Sequence, residues 1–181
     1  MNQKELEDYI LKAANTLRGM AESADVKQFI FPLLFYKRIS DVWGEEFEEA
    51  LELFDSDLDA AKMLENYRFQ IPNGCHWKDI RATSTDIGNK IRKSFREIEN
   101  TNFELLHGVF GNAQWTNKSL LSDAKLIDLI EQLSVVTLSK DNISDDAIGA
   151  GFEFLVKEFA KDTGHTAADF YTNRTVIDLV L

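Results

Sequence analysis

Several groupings of reactive side chains invite a chemical reading. Cys75 and His76 are neighbours in "NYRFQIPNGCHW", and a thiol beside an imidazole is a pairing used for nucleophilic catalysis. They sit in a turn marked by Pro72, Asn73 and Gly74, so a surface or helix-capping role is expected of them instead. The histidines His76, His107 and His165 stand far apart. None has the H-x-x-x-H or H-E-x-x-H spacing that sets two ligands on one helical face, so no metal site is expected. "IGAGFEF" offers Gly149 and Gly151 but neither a preceding strand nor the third glycine of a phosphate-cradling loop. Close packing between helices is the better account of that pair.

Charge is distributed unevenly. "NKIRKSFREIE" places Arg92, Lys93 and Arg96 on the face away from Ile87, Ile91 and Phe95. Such a row suits plain solvation and could also track a phosphate backbone. From Glu45 to Asp59 there is no Lys or Arg, and a solvated helix face is expected there rather than a protein-docking surface. The formal net charge of −11 argues against bulk attraction to nucleic acid. Any DNA role must be local or delegated to a partner. These residues make up no complete active site.

The elements that must hold them are helical almost throughout. Leu6, Ile10, Ala13, Ala14 and Leu17 form one amphipathic stripe, with Gly19 as its end signal. Asp25 can cap a segment in which Phe29, Ile30, Phe31, Leu33, Leu34, Phe35 and Tyr36 are apolar on nearly every side. That pattern marks a central buried helix. Pro32 predicts a kink or a helix in two pieces, unless the helix begins nearer Pro32 itself. "GEEFEEALELF" continues it toward the surface. Tyr67, Phe69 and Ile71 alternate and admit one short strand, which would have little to pair with.

Beyond the turn, Ile87, Ile91, Phe95 and Ile98 form a stripe with Ser84 or Thr85 as cap. Leu126, Ile127, Leu129, Ile130 and Leu133 form another, and Ile148, Phe152, Leu155, Val156 and Phe159 a third. The turn-rich "LHGVFGNAQWTN" separates the first two. The fold class expected is all-α, an irregular helical bundle, since no heptad persists over several turns.

At 181 residues, with 44% apolar and 28% charged side chains, the chain suits one globular domain and a small second piece. A single cysteine excludes an internal disulfide and fits a reducing compartment. Charges interrupt the amino-terminal helix before any signal-peptide core, and no run nears the roughly 20 apolar residues of a membrane span. A cytoplasmic protein with no membrane partner is expected.

Two distant segments carry a resemblance. "LRGMAESADVKQFIFPLLFYKRISDVW" is similar to the helical amino-terminal domain of the modification subunit of type I restriction-modification systems. There an "LRG" precedes an apolar, proline-containing helix that ends in "K-R-x-S-D". Leu17, Arg18, Gly19, Pro32, Lys37, Arg38, Ser40 and Asp41 occupy those places. "DDAIGAGFEFLVKEFAKDTGHTAADFYTNRTVIDLVL" resembles the start of the same family's adenine methyltransferase domain. Gly149, Phe152, Glu153, Leu155, Phe159 and Ala160 match its helix of the form G-x-x-Y-E-x-L-x-x-x-F-A. Ala168, Asp169, Phe170, Tyr171, Thr172 and Asn173 then stand at its G-E-F-Y/F-T-P segment. "RFQIP", Trp77, "GVF" and "LIDLIEQLS" agree with the family layout between the two.

The resemblance implies a helical domain over 1–140 and the start of a methyltransferase domain over 141–181. It implies S-adenosyl-L-methionine as cofactor, with Asp169, Phe170, Tyr171 and Thr172 as part of its wall and no catalytic residue in this stretch. It implies DNA, a specificity subunit, a second modification subunit and a restriction subunit as partners. The family's D-P-x-x-G-x-G cofactor loop and N-P-P-F/Y adenine motif are absent, the only prolines being Pro32 and Pro72. The apolar tail Val176, Ile177, Leu179, Val180 and Leu181 is accordingly expected to lie against a sheet beyond this sequence. Asn173 in place of proline gives up a fixed φ for a capable cap. The alternative is a non-catalytic helical module that binds protein or DNA.

Overall fold

The amino terminus shows how local chemistry sets the first element. In the computed structural model, which describes residues 1–17, 23–63 and 66–163, Asn2 accepts from the Glu5 amide at 3.0 Å. Glu5 accepts from the Asn2 amide at 2.9 Å in return. This capping box starts helix α1 (Gln3–Asn15). Its stripe of Leu6, Tyr9, Ile10, Ala13 and Ala14 is buried. Gly19 lies outside the described residues, and Asp25 falls inside the next helix, which begins at Ser23, so it is not the cap expected of it.

Helix α2 (Ser23–Leu53) is the spine of the molecule. It runs as one helix through Pro32, so of the expected kink or two-part helix the division into two pieces does not occur, nor does a start nearer Pro32. Proline costs one intrahelical hydrogen bond and crowds the preceding turn. Here Ile30, Leu33, Leu34, Phe35 and Tyr36 are all buried around it, and that burial outweighs the defect. The helix does carry the acidic run outward. It ends at a left-handed pair, Asp55 and Ser56, before the short α3 (Leu58–Ala61), capped by Asp57.

No strand forms among the described residues at Tyr67, Phe69 and Ile71. All three side chains are buried, so the alternation is real, but the neighbour is a side chain instead of a strand. Asn102 accepts from the Gln70 amide at 2.8 Å and donates to the Gln70 carbonyl at 2.8 Å. One asparagine thus meets both backbone groups that a paired strand would have met.

The chain continues through α4 (Trp77–Arg81), α5 (Ile87–Thr101), α6 (Phe103–Leu106), α7 (Asp123–Ser134) and α8 (Asp145–Thr163). Helix α1 packs on α8 and α7, α2 on α8 and α4, and α5 on α7, α4 and α6. The all-α bundle is as expected, and the three later stripes are buried apart from the half-buried Val156 and Ile127, which faces solvent. Gly151 answers the glycine question: a Cβ there would lie 3.0 Å from both the Leu6 and Ile10 side chains. It is the close contact that lets α8 approach α1.

Aromatic rings knit the helices. Phe31 stacks on Phe152 at 5.7 Å, and Tyr36 meets Trp77 and Phe95, each at 5.4 Å. Phe95 stacks on Phe110 at 4.1 Å. These offset and edge-to-face pairs add to the area they bury.

Candidate functional site

Two sets of polar residues are organised well enough to ask what they do. The first lies on α2. Arg38 donates to the Leu138 carbonyl and to Asp145, each at 2.6 Å. Asp41 pairs with Lys37 and accepts from the Leu138 amide at 2.6 Å. Ser40 Oγ accepts from the Trp77 amide at 2.8 Å. One turn on, Glu45 accepts from the amides of Lys140 and Asp141 at 2.7 and 2.9 Å. Glu46 meets Lys140 Nζ at 2.6 Å.

This stripe seizes the backbone of the 138–141 connection and the start of α4. Burial lowers the Lys37 ammonium pKa, and Asp41 opposes that shift. The arrangement is a brace: each group spends its hydrogen bonds on the fold. The acidic run is otherwise solvated as expected, with Glu48, Glu49, Glu52, Asp55, Asp57 and Asp59 exposed.

Cys75 and His76 depart from expectation, because both are buried instead of lying on the surface. His76 does occupy the N-cap position of α4, where Asp79 accepts from its amide at 2.9 Å, but its side chain makes no cap hydrogen bond. The Cys75 carbonyl accepts from Tyr36 Oη at 2.7 Å. The imidazole packs 4.3 Å from the Trp43 ring, itself stacked between Phe47 and Tyr67. His107 is exposed beside Phe103, and His165 lies outside the described residues. Among the described residues no three His, Cys, Asp or Glu side chains are grouped to hold a metal ion.

The second set borders an open groove of about 530 Å³ between α5 and residues 110–117. Arg92 and Arg96 stand on the helical side. Asn112, Gln114, Thr116 and Asn117 stand exposed on the other. Its floor is the buried trio Phe95, Phe110 and Trp115. Arg92 is steadied by Asn89 Oδ1 at 2.9 Å. Lys93 is exposed on the next face of α5 and does not border the groove.

The groove's shape follows from three local devices. Gly88 lets the first turn of α5 touch the opposite wall, for a Cβ there would sit 1.9 Å from the Trp115 carbonyl oxygen. Gly111 turns that wall with φ +65°. The N-terminus of α5 is not capped by Ser84 or Thr85. The N-cap is Asp86, left-handed at φ 53°, and Asp123 from α7 accepts from the Asp86 and Ile87 amides at 3.1 and 3.3 Å. Lys118 holds that carboxylate at 3.0 Å and lowers its pKa. A cap supplied by a distant residue has no signature in the α5 sequence.

Sequence reasoning singled out Arg92 and Arg96 but not the wall they face. Its signals were the run of exposed amides in "GNAQWTN" and a glycine in the first turn of a helix. Asp169, Phe170, Tyr171 and Thr172, together with Asn173 and the tail from Val176 to Leu181, lie outside the described residues. The groove does not fit S-adenosyl-L-methionine, because two guanidiniums border it and the cofactor's sulfonium is itself positive. Its chemistry suits an anion.

A family model described as "HsdM N-terminal domain" matches residues 6–133. The chain is 23% identical to the type I restriction enzyme MpnII methylase subunit of Mycoplasma pneumoniae, over 97% of this chain and 38% of that protein. It is 25% identical to the type I restriction enzyme MjaIX methylase subunit of Methanocaldococcus jannaschii, over 98% of this chain and 35% of that protein. It therefore spans little more than a third of the length of these relatives. The crystal structure of a type I restriction-modification system methyltransferase subunit from Streptococcus thermophilus shares the fold. The TM-score is 0.67 at 18% identity, covering 88% of this chain and 39% of that chain.

Proposed function

The chain belongs to the HsdM N-terminal domain family, and from that premise we propose that it is the amino-terminal segment of a type I restriction-modification methylase subunit. The complete subunit transfers the methyl group of S-adenosyl-L-methionine to adenine in DNA. A specificity subunit selects the sequence, and a second modification subunit and a restriction subunit complete the assembly in the cytoplasm. The helical domain serves that assembly and helps enclose the DNA. The observation that carries this reading is the match of nearly the whole chain to methylase subunits of about three times its length.

The division proposed is a helical domain over 1–140 and the start of the methyltransferase domain over 141–181. Helix α8 is then the first element of the second piece, with Ile148, Phe152 and Leu155 seated in the helical core. Asp169, Phe170, Tyr171 and Thr172 are proposed as a section of the cofactor wall. The brace on α2 supports the assignment in physical terms: Lys37, Arg38, Ser40 and Asp41 carry the family resemblance, and they fix the start of α8 through Arg38 and Asp145.

Methylation of a paired base requires the base to leave the stack and enter a pocket with polar partners for its exocyclic amine. The cofactor loop and adenine motif that the family resemblance assigns to these tasks are absent from this sequence, so the 181-residue chain alone is expected to be inactive. The test is transfer of labelled methyl from S-adenosyl-L-methionine to duplex DNA by the complete subunit with its specificity subunit, followed by nucleoside analysis. Label in methyladenine, with none from the 181-residue chain alone, is the expected result. DNA binding by the assembled subunits without any transfer would favour the non-catalytic module.

A further inference from the structure

The polar sides of the groove between α5 and residues 110–117 take no part in the brace on α2. In a protein of net charge −11, Lys37, Arg38, Arg81, Lys118, Lys140 and Lys157 each meet a carboxylate. Arg92 and Arg96 do not, and among the described residues no carboxylate lies within ion-pair distance of either. They stand one turn apart on the same face, so their guanidiniums are neighbours.

Among the described residues the one acid bordering the groove is Glu99, and its Oε1 already accepts from the Phe110 amide at 3.1 Å. Opposite stand the amides of Asn112 and Gln114 and the Thr116 hydroxyl; Asn117 accepts from the Ser119 and Leu120 amides and donates to Gln114 at 3.3 Å, which holds this wall together. Guanidiniums together with amide and hydroxyl side chains are the groups that contact phosphate and sugar oxygens. The groove opens to solvent between two polar sides with three buried aromatic residues beneath it, which suits part of a larger polyanion better than an enclosed small molecule.

We propose that this groove binds the sugar-phosphate backbone of duplex DNA, with Arg92 and Arg96 on neighbouring phosphates and the 112–117 wall on the sugar side. The assignment of DNA as the polyanion rests on the proposed function; the anion chemistry of the groove does not. Contacts of this kind fix position along the duplex and carry no base information. A local basic groove reconciles an acidic chain with a nucleic-acid partner, because phosphate neutralisation depends on the charges in reach.

The test is fluorescence anisotropy of a labelled duplex titrated with the full 181-residue chain across a salt series. Salt-dependent binding is expected. The double variant Arg92→Gln with Arg96→Gln should weaken it about tenfold at roughly 50 mM salt and reduce the slope of log K against log salt by about 2. Arg92→Lys with Arg96→Lys should keep most of that slope. Lys4→Gln with Lys12→Gln, on exposed positions of α1, makes the same change in net charge and should leave binding unaltered. All three replace exposed residues by good helix formers, and unchanged thermal melts would show that folding is intact. Absence of salt-dependent binding, an unaffected glutamine variant, or an equal loss in the α1 control would overturn the proposal. Each of these can occur while the assembled enzyme still methylates, so the groove and the methylase reading fail separately.

Discussion

Arg38 on α2 and Arg96 on α5 are the same side chain on two core-crossing helices, with opposite fates. The Arg38 side chain is 5% exposed and spends its donors on Leu138 and Asp145. Arg96 stands exposed at the rim of a groove and makes no ion pair among the described residues, the nearby Glu99 being engaged with the Phe110 amide. Burying a guanidinium is costly unless partners replace its water, and α2 supplies them from a connection about a hundred residues away. Solvent does that work for Arg96. An arginine at a helix surface therefore says little until its partners are known. Where the fold consumes its donors it is architecture, and where they are left to water it remains available for a ligand.

Replacing each arginine by alanine should separate the two regions most widely. Arg38→Ala leaves the Leu138 carbonyl without its donor and a hole where the stem packed. A loss of about 3 kcal/mol is expected, moderated because Asp145 is partly solvated. Arg96→Ala should change stability by less than about 0.5 kcal/mol, as surface substitutions do. Urea unfolding midpoints at neutral pH measure both, and equal losses would break the distinction.

A smaller effect tests the backbone beneath the groove. Alanine is favoured over glycine in a helix interior by about 1 kcal/mol. At Gly44 a Cβ would meet nothing within 4 Å, so Gly44→Ala should be neutral or gain up to that amount. At Gly88 it would lie 1.9 Å from the Trp115 oxygen and 2.8 Å from its carbonyl carbon. Backbone cannot swing aside as a side chain can, and Gly88→Ala should lose about 2 kcal/mol net. Chemical unfolding of the two variants checks this, and similar outcomes would show that α5 is free to move off the wall.

Much of the bundle was legible because helical periodicity is local. The stripe of α1, the buried run of α2 and the stripes of α5 and α7 each follow from residues within a few turns. What could not be read depends on residues distant in sequence. Asp123 capping α5 and Asn102 pairing with the backbone at Gln70 are examples, and both replaced a local expectation: a Ser84 or Thr85 cap and a short strand. Pro32 shows the same override, with tertiary burial holding one helix through a residue that locally argues for a break. At the candidate groove the charged face of α5 was readable from spacing, but the wall of 110–117 was not, because a turn-rich segment carries no period that says where it will dock.

The pair of regions also differs in what pH can change, and this gives the smallest of the expected effects. His76 is buried against Trp43, next to the start of α4, which Ser40 of the brace holds. Burial lowers its pKa below the usual 6.5; nearby Lys78 adds to the shift and Asp79 opposes it. As pH falls through 6.5 the unfolded chain takes up a proton that the folded chain still refuses, so the unfolded state binds more protons and stability declines. The contribution is complete above that pH and is lost toward the lower folded value. His76→Phe keeps a ring against Trp43 but cannot be protonated. Its stability relative to the parent should therefore improve between about pH 7 and pH 5, as read from urea midpoints at the two ends. Arg92 and Arg96 border the groove and do not contact the imidazole, so Arg92→Gln with Arg96→Gln should leave the same pH profile untouched. A parent profile flat from about pH 7 to 5, or one that His76→Phe does not flatten, would mean that water reaches the imidazole and that this stretch of the α2 region is no more sealed than the groove.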